Sequence, residues 1–331
     1  MNIMHIAIIS GLVTILLFAC VFVAAPEANQ ATQTPTEQPV ASIITPAQSE
    51  QPVTTETTPT PTEQPVAAET TPTPTEPLVA TKTPILDIGF HWVRPADGMV
   101  MVYVPEGEFT MGSNDGDLDE QPVHTVYLDA YWIDQTEVTN DKYMLCVQAG
   151  GCQPRSDSGS HRRSSYYGNS QYGDYPVINL TWHYAQAYCA WAEARLPSEA
   201  EWEKAARGTD GRIYPWGNND PTCNLANLWP SESSCVGDTS AVGSYQAGAS
   251  PYGALDMAGN VWEWVADRYG QTYYSQSPSS NPTGPDSGQY RVLRGGSFFE
   301  LGVGVRSARR FGNVSEYMIA RHFGFRCALS Q

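Results

Sequence analysis

Residues 194–208 read ARLPSEAEWEKAARG and carry both the start and the stop signal of a helix. Ser198 and Glu201 have the spacing of a capping box, in which each side chain accepts a hydrogen bond from the other residue's backbone N–H. Gly208 stands where helices commonly end in a left-handed turn. The stretch therefore predicts one short, well-delimited helix beginning just after Ser198.

The segments on either side of this helix are of different kinds. Upstream, Thr181 caps a second predicted helix, and a short third one begins at Asn140. Two alternating apolar runs over 98–113 predict a hairpin, and 123–139 predicts another strand region. Downstream, 209–331 is rich in Gly, Asn, Pro and Ser and predicts mostly loops. We expect an α+β domain with little regular secondary structure.

The aromatic residues divide the 331-residue chain into a tail and a domain. All nine Trp and all 18 Tyr lie between residues 85 and 331, whereas 26–84 has no aromatic residue and holds 12 of the 25 prolines. A segment without aromatic side chains buries too little apolar surface to fold. We therefore expect a disordered Thr/Pro/Glu-rich tether over 26–84, which repeats ETTPTPTE, and one domain over 85–331.

The first 25 residues predict export from the cytoplasm. Residues 6–25 form an uncharged run long enough to span a bilayer as a helix. A cleaved signal peptide is an alternative, as is a lipoprotein signal ending at Cys20. Each alternative places the domain outside the cytoplasm, held at the membrane through the N-terminal segment only or secreted.

The formal net charge of −17 argues against two classes of partner. An acidic chain is repelled by nucleic acid and by anionic membrane surfaces. The same charge is compatible with bound cations.

The cysteines after residue 25 predict disulfides. There are six, an even number, as expected of a protein exported to an oxidising compartment. Cys146 with Cys152 and Cys223 with Cys235 would close short loops, which leaves Cys189 for Cys327. No Cys-x-x-Cys spacing occurs, so we do not expect a structural zinc site.

Seven motifs resemble one known family when they are read together in order. They are GEFTMGS (107–113), EQPVHTVYLDAYWIDQTEVTN (120–140), ARLPSEAEWEKAARG (194–208), YPWGN (214–218), GALDMAGNVWEW (253–264), RVLRGGS (291–297) and GFRCA (324–328). This order is similar to that of the sulfatase-modifying-factor domain, the family of the formylglycine-generating enzyme. The resemblance covers about residues 95–330 and implies a fold related to C-type lectins. It also implies that Cys189 and Cys327 form a disulfide.

The same resemblance makes copper unlikely in this chain. The active enzymes of the family hold Cu(I) between two cysteine thiolates placed shortly after the RGGS motif, because soft thiolates select Cu(I). Here the corresponding stretch, 298–305, reads FFELGVGV and has no cysteine. His322 also stands where the family enzymes carry Asn. Of the pocket, Ser297 and Trp262 remain, with Glu300 and His322 as two candidate ligands for a harder metal.

Structural calcium is also implied by the resemblance. The first family site would use the carboxylates of Asp256 and Glu263 with the carbonyls of Gly259 and Val261, because calcium takes six to eight oxygen ligands. The alternative is that Glu263 pairs with an arginine. A second site would use Asn227 and the carbonyl of Leu228, with Asp238 as the candidate acid.

Three functions compete for this sequence. The first is a non-catalytic binding module that presents the long Tyr-, Ser- and Gly-rich loops 153–175 and 271–290 to a protein, peptide or glycan. The second is a formylglycine-type oxidase with altered metal ligation, and the third is a structural protein displayed on the cell surface. Four arginines in or after RGGS form either an anion-binding wall or ion pairs with the surplus acids: Arg294, Arg306, Arg309 and Arg310. The missing thiolates favour the binding module.

Overall fold

A computed structural model of the chain describes residues 87–229 and 233–331. The predicted membrane anchor or signal and the whole of the predicted tether over 26–84 lie outside these residues. Within the described parts of the chain, no helix has the length and apolar character needed to cross a bilayer.

The described residues contain three α-helices and ten short strands, joined by long loops and a few 3₁₀ turns. The helices are α1 (Asn140–Gln148), α2 (Trp182–Trp191) and α3 (Glu199–Arg207). The strands are β1 (His91–Val93), β2 (Val100–Val104), β3 (Gly107–Met111), β4 (His124–Leu128), β5 (Tyr131–Asp134), β6 (Trp262–Arg268), β7 (Tyr290–Arg294), β8 (Arg310–Ser315), β9 (Phe323–Phe325) and β10 (Ala328–Ser330). The predicted α+β class with little regular structure is confirmed.

The helix signals read from the sequence are confirmed. The hydroxyl of Ser198 accepts from the N–H of Glu201, and the Glu201 carboxylate accepts from the N–H of Ser198. Gly208 ends α3 with a φ of 68°. Thr181 and Thr139 cap α2 and α1 through their hydroxyl groups.

The first sheet joins the two ends of the domain. Its strand order is β1-β2-β5-β10, and every neighbouring pair is antiparallel. The C-terminal strand β10 therefore lies beside β5, far from it in sequence. This pairing closes the domain.

The predicted hairpin over 98–113 is wrong. Its two runs form strands, but β2 pairs with β1 and β5, whereas β3 pairs with β4 in a separate two-stranded sheet. Both β2 and β3 place alternate apolar side chains in the same core, Val102 and Val104 from one strand and Phe109 and Met111 from the other. Burial against a common core therefore decides the pairing, and the turn at Pro105 only redirects the chain.

A second four-stranded sheet, called the second sheet below, lies in the segment that the sequence predicts as mostly loops. Its order is β8-β7-β6-β9, with β6 and β9 parallel and the other pairs antiparallel. These strands have three to seven residues and lie between loops rich in Gly and Pro, so the strand signal is weak in the sequence. The sheet brings the GNVWEW, RVLRGGS and GFRCA motifs side by side.

Two large clusters of buried side chains form most of the core. One packs α1 and α2 on the second sheet through Tyr143, Tyr188, Trp264 and Phe325. The other packs α3 between the sheets, with Trp202 at its centre. Both clusters are rich in aromatic side chains, which bury large areas with few residues.

Candidate functional site

All six cysteines of the described chain form disulfides, in the three predicted pairs. Cys146 bonds Cys152 with an S–S distance of 1.98 Å, Cys189 bonds Cys327 at 2.00 Å, and Cys223 bonds Cys235 at 2.11 Å. No thiolate from these residues is available as a soft ligand.

The segment after Gly295 and Gly296 forms one wall of the candidate cleft. Ser297 is fully buried, and its hydroxyl accepts a hydrogen bond of 3.3 Å from the N–H of Phe299. Glu300 lies beside Trp262, whose indole Nε1 donates to the Glu300 carboxylate at 3.2 Å. Burial raises the pKa of Glu300, and the bond from Trp262 opposes this rise. The Glu300 carboxylate is therefore held by the indole of Trp262. It lies in the stretch 298–305, where the sequence lacks the two copper-binding cysteines of the family enzymes.

Two histidines flank Phe299 at the mouth of this cleft. The ring centre of His161 lies 4.8 Å from that of Phe299, and the ring centre of His322 lies 5.3 Å from it, both rings nearly perpendicular to the Phe299 ring. Burial and, to a smaller extent, the charge of His161 lower the pKa of His322 to about 4. His322 is therefore neutral at pH 7.

The predicted ligands for a harder metal do not form a ligand set in the structure. Glu300 contacts Trp262, whereas His322 contacts Phe299 and Phe323. Among the described residues, no group of three or more His, Cys, Asp or Glu side chains has an arrangement that holds a metal ion. Sequence reasoning placed His161 only within the loop 153–175, since nothing local distinguishes it from other loop residues.

Exposed apolar side chains lie close in sequence to the residues of the cleft. Leu301 is 54% exposed and Val303 is 69% exposed, directly after Glu300. Tyr317, Met318 and Ile319 are also exposed, on the turn that precedes His322. Exposed apolar side chains that group on one surface are typical of interaction sites.

The four arginines in or after RGGS form ion pairs rather than an anion-binding wall. Arg294 donates to Glu203 at 2.5 Å and to three backbone carbonyls, and Arg310 donates to both oxygens of Glu199. Arg306 makes a bidentate pair with Glu120, and Arg309 contacts Asp117. These contacts agree with the second alternative from the sequence, in which the arginines pair with the surplus acidic residues.

The loops predicted as contact surfaces bury much of their aromatic content. In 153–175, Tyr166 is buried and Arg163 lies 4.8 Å from the centre of the Tyr172 ring. In 271–290, Tyr273 and Tyr274 are buried in the second core cluster. The tyrosines of these loops therefore stabilise the fold, so the cleft mouth is the better candidate contact surface.

At the first predicted calcium site, the glutamate Glu263 is paired with an arginine. Arg326 donates to both oxygens of Glu263, each at 2.7 Å, and the indole of Trp202 donates to the same carboxylate at 2.8 Å. Asp256 accepts a hydrogen bond of 2.5 Å from the N–H of Gly243. A calcium ion bound by Glu263 would have to replace Arg326. The residues as arranged do not fit the ion at this position.

The second predicted calcium site offers one free oxygen. The side-chain oxygen of Asn227 is buried and has no hydrogen-bond partner. The Leu228 carbonyl accepts from the N–H of Cys235 at 2.9 Å. Asp238 accepts from Ser160 at 2.6 Å and lies 3.1 Å from Arg163. The orphaned amide oxygen is an available hard ligand, and the amide nitrogen of Asn227 donates to the backbone carbonyl of Asp238, so this position fits a hard cation better than the first.

A buried acid that the sequence did not single out lies beside the first position. One oxygen of Glu137 accepts from the Asn260 side chain at 2.9 Å, and the other has no partner. Burial raises the pKa of Glu137 well above its usual range, and the nearby Asp256 and Glu263 carboxylates raise it further. Glu137 follows β5 in a motif with no unusual composition. Only the tertiary structure shows that it lies near Asp256 and Glu263.

Fold and site together define a class of protein: a domain of three short helices and three small sheets, with its candidate site after a Gly-Gly-Ser turn and a Cys189–Cys327 disulfide that links distant parts of the chain. The sequence profile of the sulfatase-modifying factor enzyme 1-like domain matches residues 93–331. The chain belongs to this family, and the resemblance drawn from its motifs is confirmed.

Two relatives show the range of the family. The serine/threonine-protein kinase pkn1 of Chlamydia caviae is 38% identical over 241 residues, covering 69% of this chain and 37% of that protein. The chain thus spans little more than a third of that relative's length. The formylglycine-generating enzyme of Streptomyces coelicolor is 34% identical over 287 residues, covering 71% of this chain and 90% of the enzyme.

A solved structure confirms the fold. The structure of PvdO from Pseudomonas aeruginosa superposes with a TM-score of 0.63 and 26% identity, covering 74% of this chain and all of PvdO. The fold is therefore shared by proteins with different names, and function has to be argued from the cleft.

Proposed function

We propose that this chain is an extracytoplasmic member of the family that acts as a binding module and does not make formylglycine. The single observation that carries this proposal is the replacement of soft ligands by Glu300 and its bond to Trp262. A carboxylate is a hard ligand, and it does not hold Cu(I) in place of two thiolates. With the cysteines of the domain in disulfides, no other soft pair lies at the cleft.

The exposed residues around the cleft support binding as the remaining role. Leu301, Val303 and Tyr317 leave large apolar areas in contact with water. Exposure of such residues costs free energy that burial against a partner would recover. The partner we propose at the cleft is a protein or peptide with an apolar segment. A structural display protein would not require this surface.

A turnover assay tests the absence of formylglycine chemistry. The full-length chain is loaded with copper and incubated under oxygen with a Cys-x-Pro-x-Arg peptide and ascorbate, a reductant that leaves disulfides intact. Mass spectrometry of the peptide is expected to show no conversion of thiol to aldehyde above the copper-only control. Conversion above that control would show an oxidase with ligands other than those described.

The location outside the cytoplasm is also part of the proposal. Three disulfides within one domain support it, because such bonds persist in oxidising compartments. Alkylation of free thiols in intact cells is expected to leave all six domain cysteines unlabelled. Labelling of Cys189 or Cys327 before reduction would contradict this location.

Calcium at the second position is proposed as a structural ion. Asn227 would supply its orphaned amide oxygen, Leu228 its carbonyl, and Asp238 its carboxylate. An ion bound only by the folded state stabilises it by about 2.7 kcal/mol at one hundred times its Kd. Chelator is therefore expected to lower the melting temperature of the wild type and to leave Asn227→Ala unchanged. Equal melting with and without chelator in the wild type would contradict the site.

A further inference from the structure

The outer face of the first sheet carries a row of apolar side chains that crosses all four strands. The carbonyl of Phe90, just before β1, accepts from the N–H of Tyr103 at 3.1 Å. Tyr103 stands opposite Trp132, and Trp132 stands opposite Leu329. Trp92, two residues after Phe90, lies on the same face, with its ring centre 6.2 Å from that of Trp132.

The inner face of the same sheet packs against the second core cluster. Its row is His91, Val102, Ile133 and Ala328, and the last three are fully buried in the second core cluster. Sheets that pack on one face usually expose polar residues on the other. Here the outer face is aromatic instead: Tyr103 is buried within it, whereas Phe90 and Trp92 keep exposed area.

The outer row leaves part of its aromatic surface accessible. Phe90 is 49% exposed and Trp92 is 36% exposed, whereas Tyr103 is 6% exposed. Trp132 is partly exposed, and its ring centre lies 5.3 Å from that of Tyr103. The two indoles are tilted by 53° to each other, and together with Phe90 they form the aromatic platform.

A cavity of about 340 Å³ opens at one end of this platform. Trp92, Pro95 and Leu329 form its apolar walls, and the end of α2 closes it with Ala192 and Glu193. The cavity therefore extends the aromatic platform into a concave subsite, as small-ligand sites require.

The polar groups at this cavity supply one hydrogen-bond acceptor and no free positive charge. Arg94, which also lines it, is paired with Asp97 at 2.6 Å and with Asp134 at 2.9 Å. Glu193 is exposed and has no ion pair among the described residues; its backbone φ of 57° lies in the left-handed region. Glu193 follows the C-cap of α2, where a left-handed residue commonly ends a helix, and this ending places its carboxylate at the cavity.

We propose that this surface, formed by Phe90, Trp92, Trp132 and the cavity beside Glu193, is a binding site for a neutral glycan chain. The flat C–H faces of pyranose rings stack on indole and phenyl faces, and the ring hydroxyls donate to the Glu193 carboxylate. An anionic ligand would meet Glu193 and a chain of net charge −17. A row that crosses four strands matches an extended polymer. The site is separate from the cleft and goes beyond the function proposed for it.

Calorimetric titration of the full-length chain tests this site directly. The probes are cellohexaose, chitohexaose and mannohexaose, three neutral chains with different hydroxyl patterns. At least one is expected to bind with quenching of tryptophan fluorescence. Trp92→Ala is expected to weaken that binding about tenfold, and Trp92→Phe by less, because a phenyl ring still stacks. Glu193→Ala is expected to weaken it several-fold, since it removes the acceptor.

A matched control keeps this proposal separate from the function proposed for the cleft. Phe311 is exposed to the same extent as Trp92 but lies on the second sheet beside Trp262. Phe311→Ala is expected to leave glycan binding unchanged, and the melting temperature of each variant verifies that it is folded. The proposal is overturned if none of the three glycans binds the wild type, or if Trp92→Ala binds as tightly as the wild type. Self-association that Trp92→Ala abolishes would assign this face to a second copy of the chain and would also overturn it.

Discussion

Two stretches that meet at the cleft, 256–264 and 298–305, differ in how their polar groups are used. In the first, Asn260 and Glu263 are fully buried, and each is bonded to partners from distant parts of the chain. In the second, the apolar residues Leu301 and Val303 face solvent, and Glu300 has one indole partner. The first stretch therefore belongs to the framework of the fold, whereas the second can change sequence without loss of that framework.

Arg326 shows how the framework stretch is held. Its guanidinium donates to Glu263 on the second sheet and to the carbonyls of Asp134, Gln135 and Leu255. It thus connects the end of β5 to β6 inside the protein. A buried charge keeps its solvation only through such a complete set of partners.

The largest expected effect separates the long disulfide of the framework from a short local one. Cys189 and Cys327 are 138 residues apart, whereas Cys146 and Cys152 are six apart. Loop-closure entropy predicts losses of about 5 and about 2 kcal/mol, respectively, when each pair is changed to Ala. Urea unfolding of the two double variants measures this difference. All four side chains are buried, so the cavity contributions are similar, and equal losses would contradict the entropic account.

The second effect compares Arg326 with Glu300. Arg326→Met leaves Glu263 buried without its cation and is expected to cost about 3–5 kcal/mol of unfolding free energy. Glu300→Gln at the cleft is expected to change it by less than about 0.5 kcal/mol. Denaturant unfolding of both variants provides the comparison.

A double variant distinguishes the loss of this ion pair from a general failure to fold. Arg326→Met with Glu263→Gln removes both charges and is expected to recover part of the lost stability. If Arg326→Met alone is as stable as the wild type, the central role given to this ion pair is wrong.

A third, smaller effect is a dependence of stability on pH from Glu137. Because its folded pKa is raised above the unfolded value, its contribution to stability is complete below the unfolded pKa and is lost as pH rises through the folded pKa. Glu137→Gln removes this loss and is expected to gain about 1 kcal/mol at neutral pH. Melting temperatures from pH 5 to 8 test it, and a steeper decline in Glu137→Gln than in the wild type would contradict it.

His322 at the cleft is expected to act in the opposite direction. Its folded pKa is lowered to about 4, so its contribution is present above the unfolded value and is lost as pH falls toward that folded pKa. His322→Asn, which restores the family's residue, is expected to flatten the acid side of the stability profile by about 1 kcal/mol. An unchanged acid side would show that the imidazole is not buried as described.

The sequence predicted features that depend on local spacing. The capping box of Ser198 and Glu201, the stop at Gly208 and the three disulfide pairs depend on neighbours in sequence or on a simple count. The family motifs then indicated the fold and the replaced segment at 298–305. These predictions needed no knowledge of which strands pair.

Features set by strand pairing were not predictable in the same way. The hairpin at Pro105 failed because two adjacent strands joined different sheets to bury side chains in one core. The partner of Glu263 was left open between calcium and an arginine, and only the fold brought Arg326 to it. The aromatic row through Tyr103 and Trp132 likewise depends on register between distant strands.

Competition for Cu(I) tests the central claim most directly, since the claim concerns ligands and not turnover. The full-length chain is titrated without oxygen into Cu(I) held by bicinchoninate, with ascorbate present and the disulfides intact. The account predicts that the chain removes no Cu(I) from the chelator, because Glu300, held by Trp262, stands in the stretch where the family enzymes have the soft pair. Removal of one Cu(I) per chain, lost in Glu300→Ala, would contradict it and would restore an oxidase as the function of this cleft.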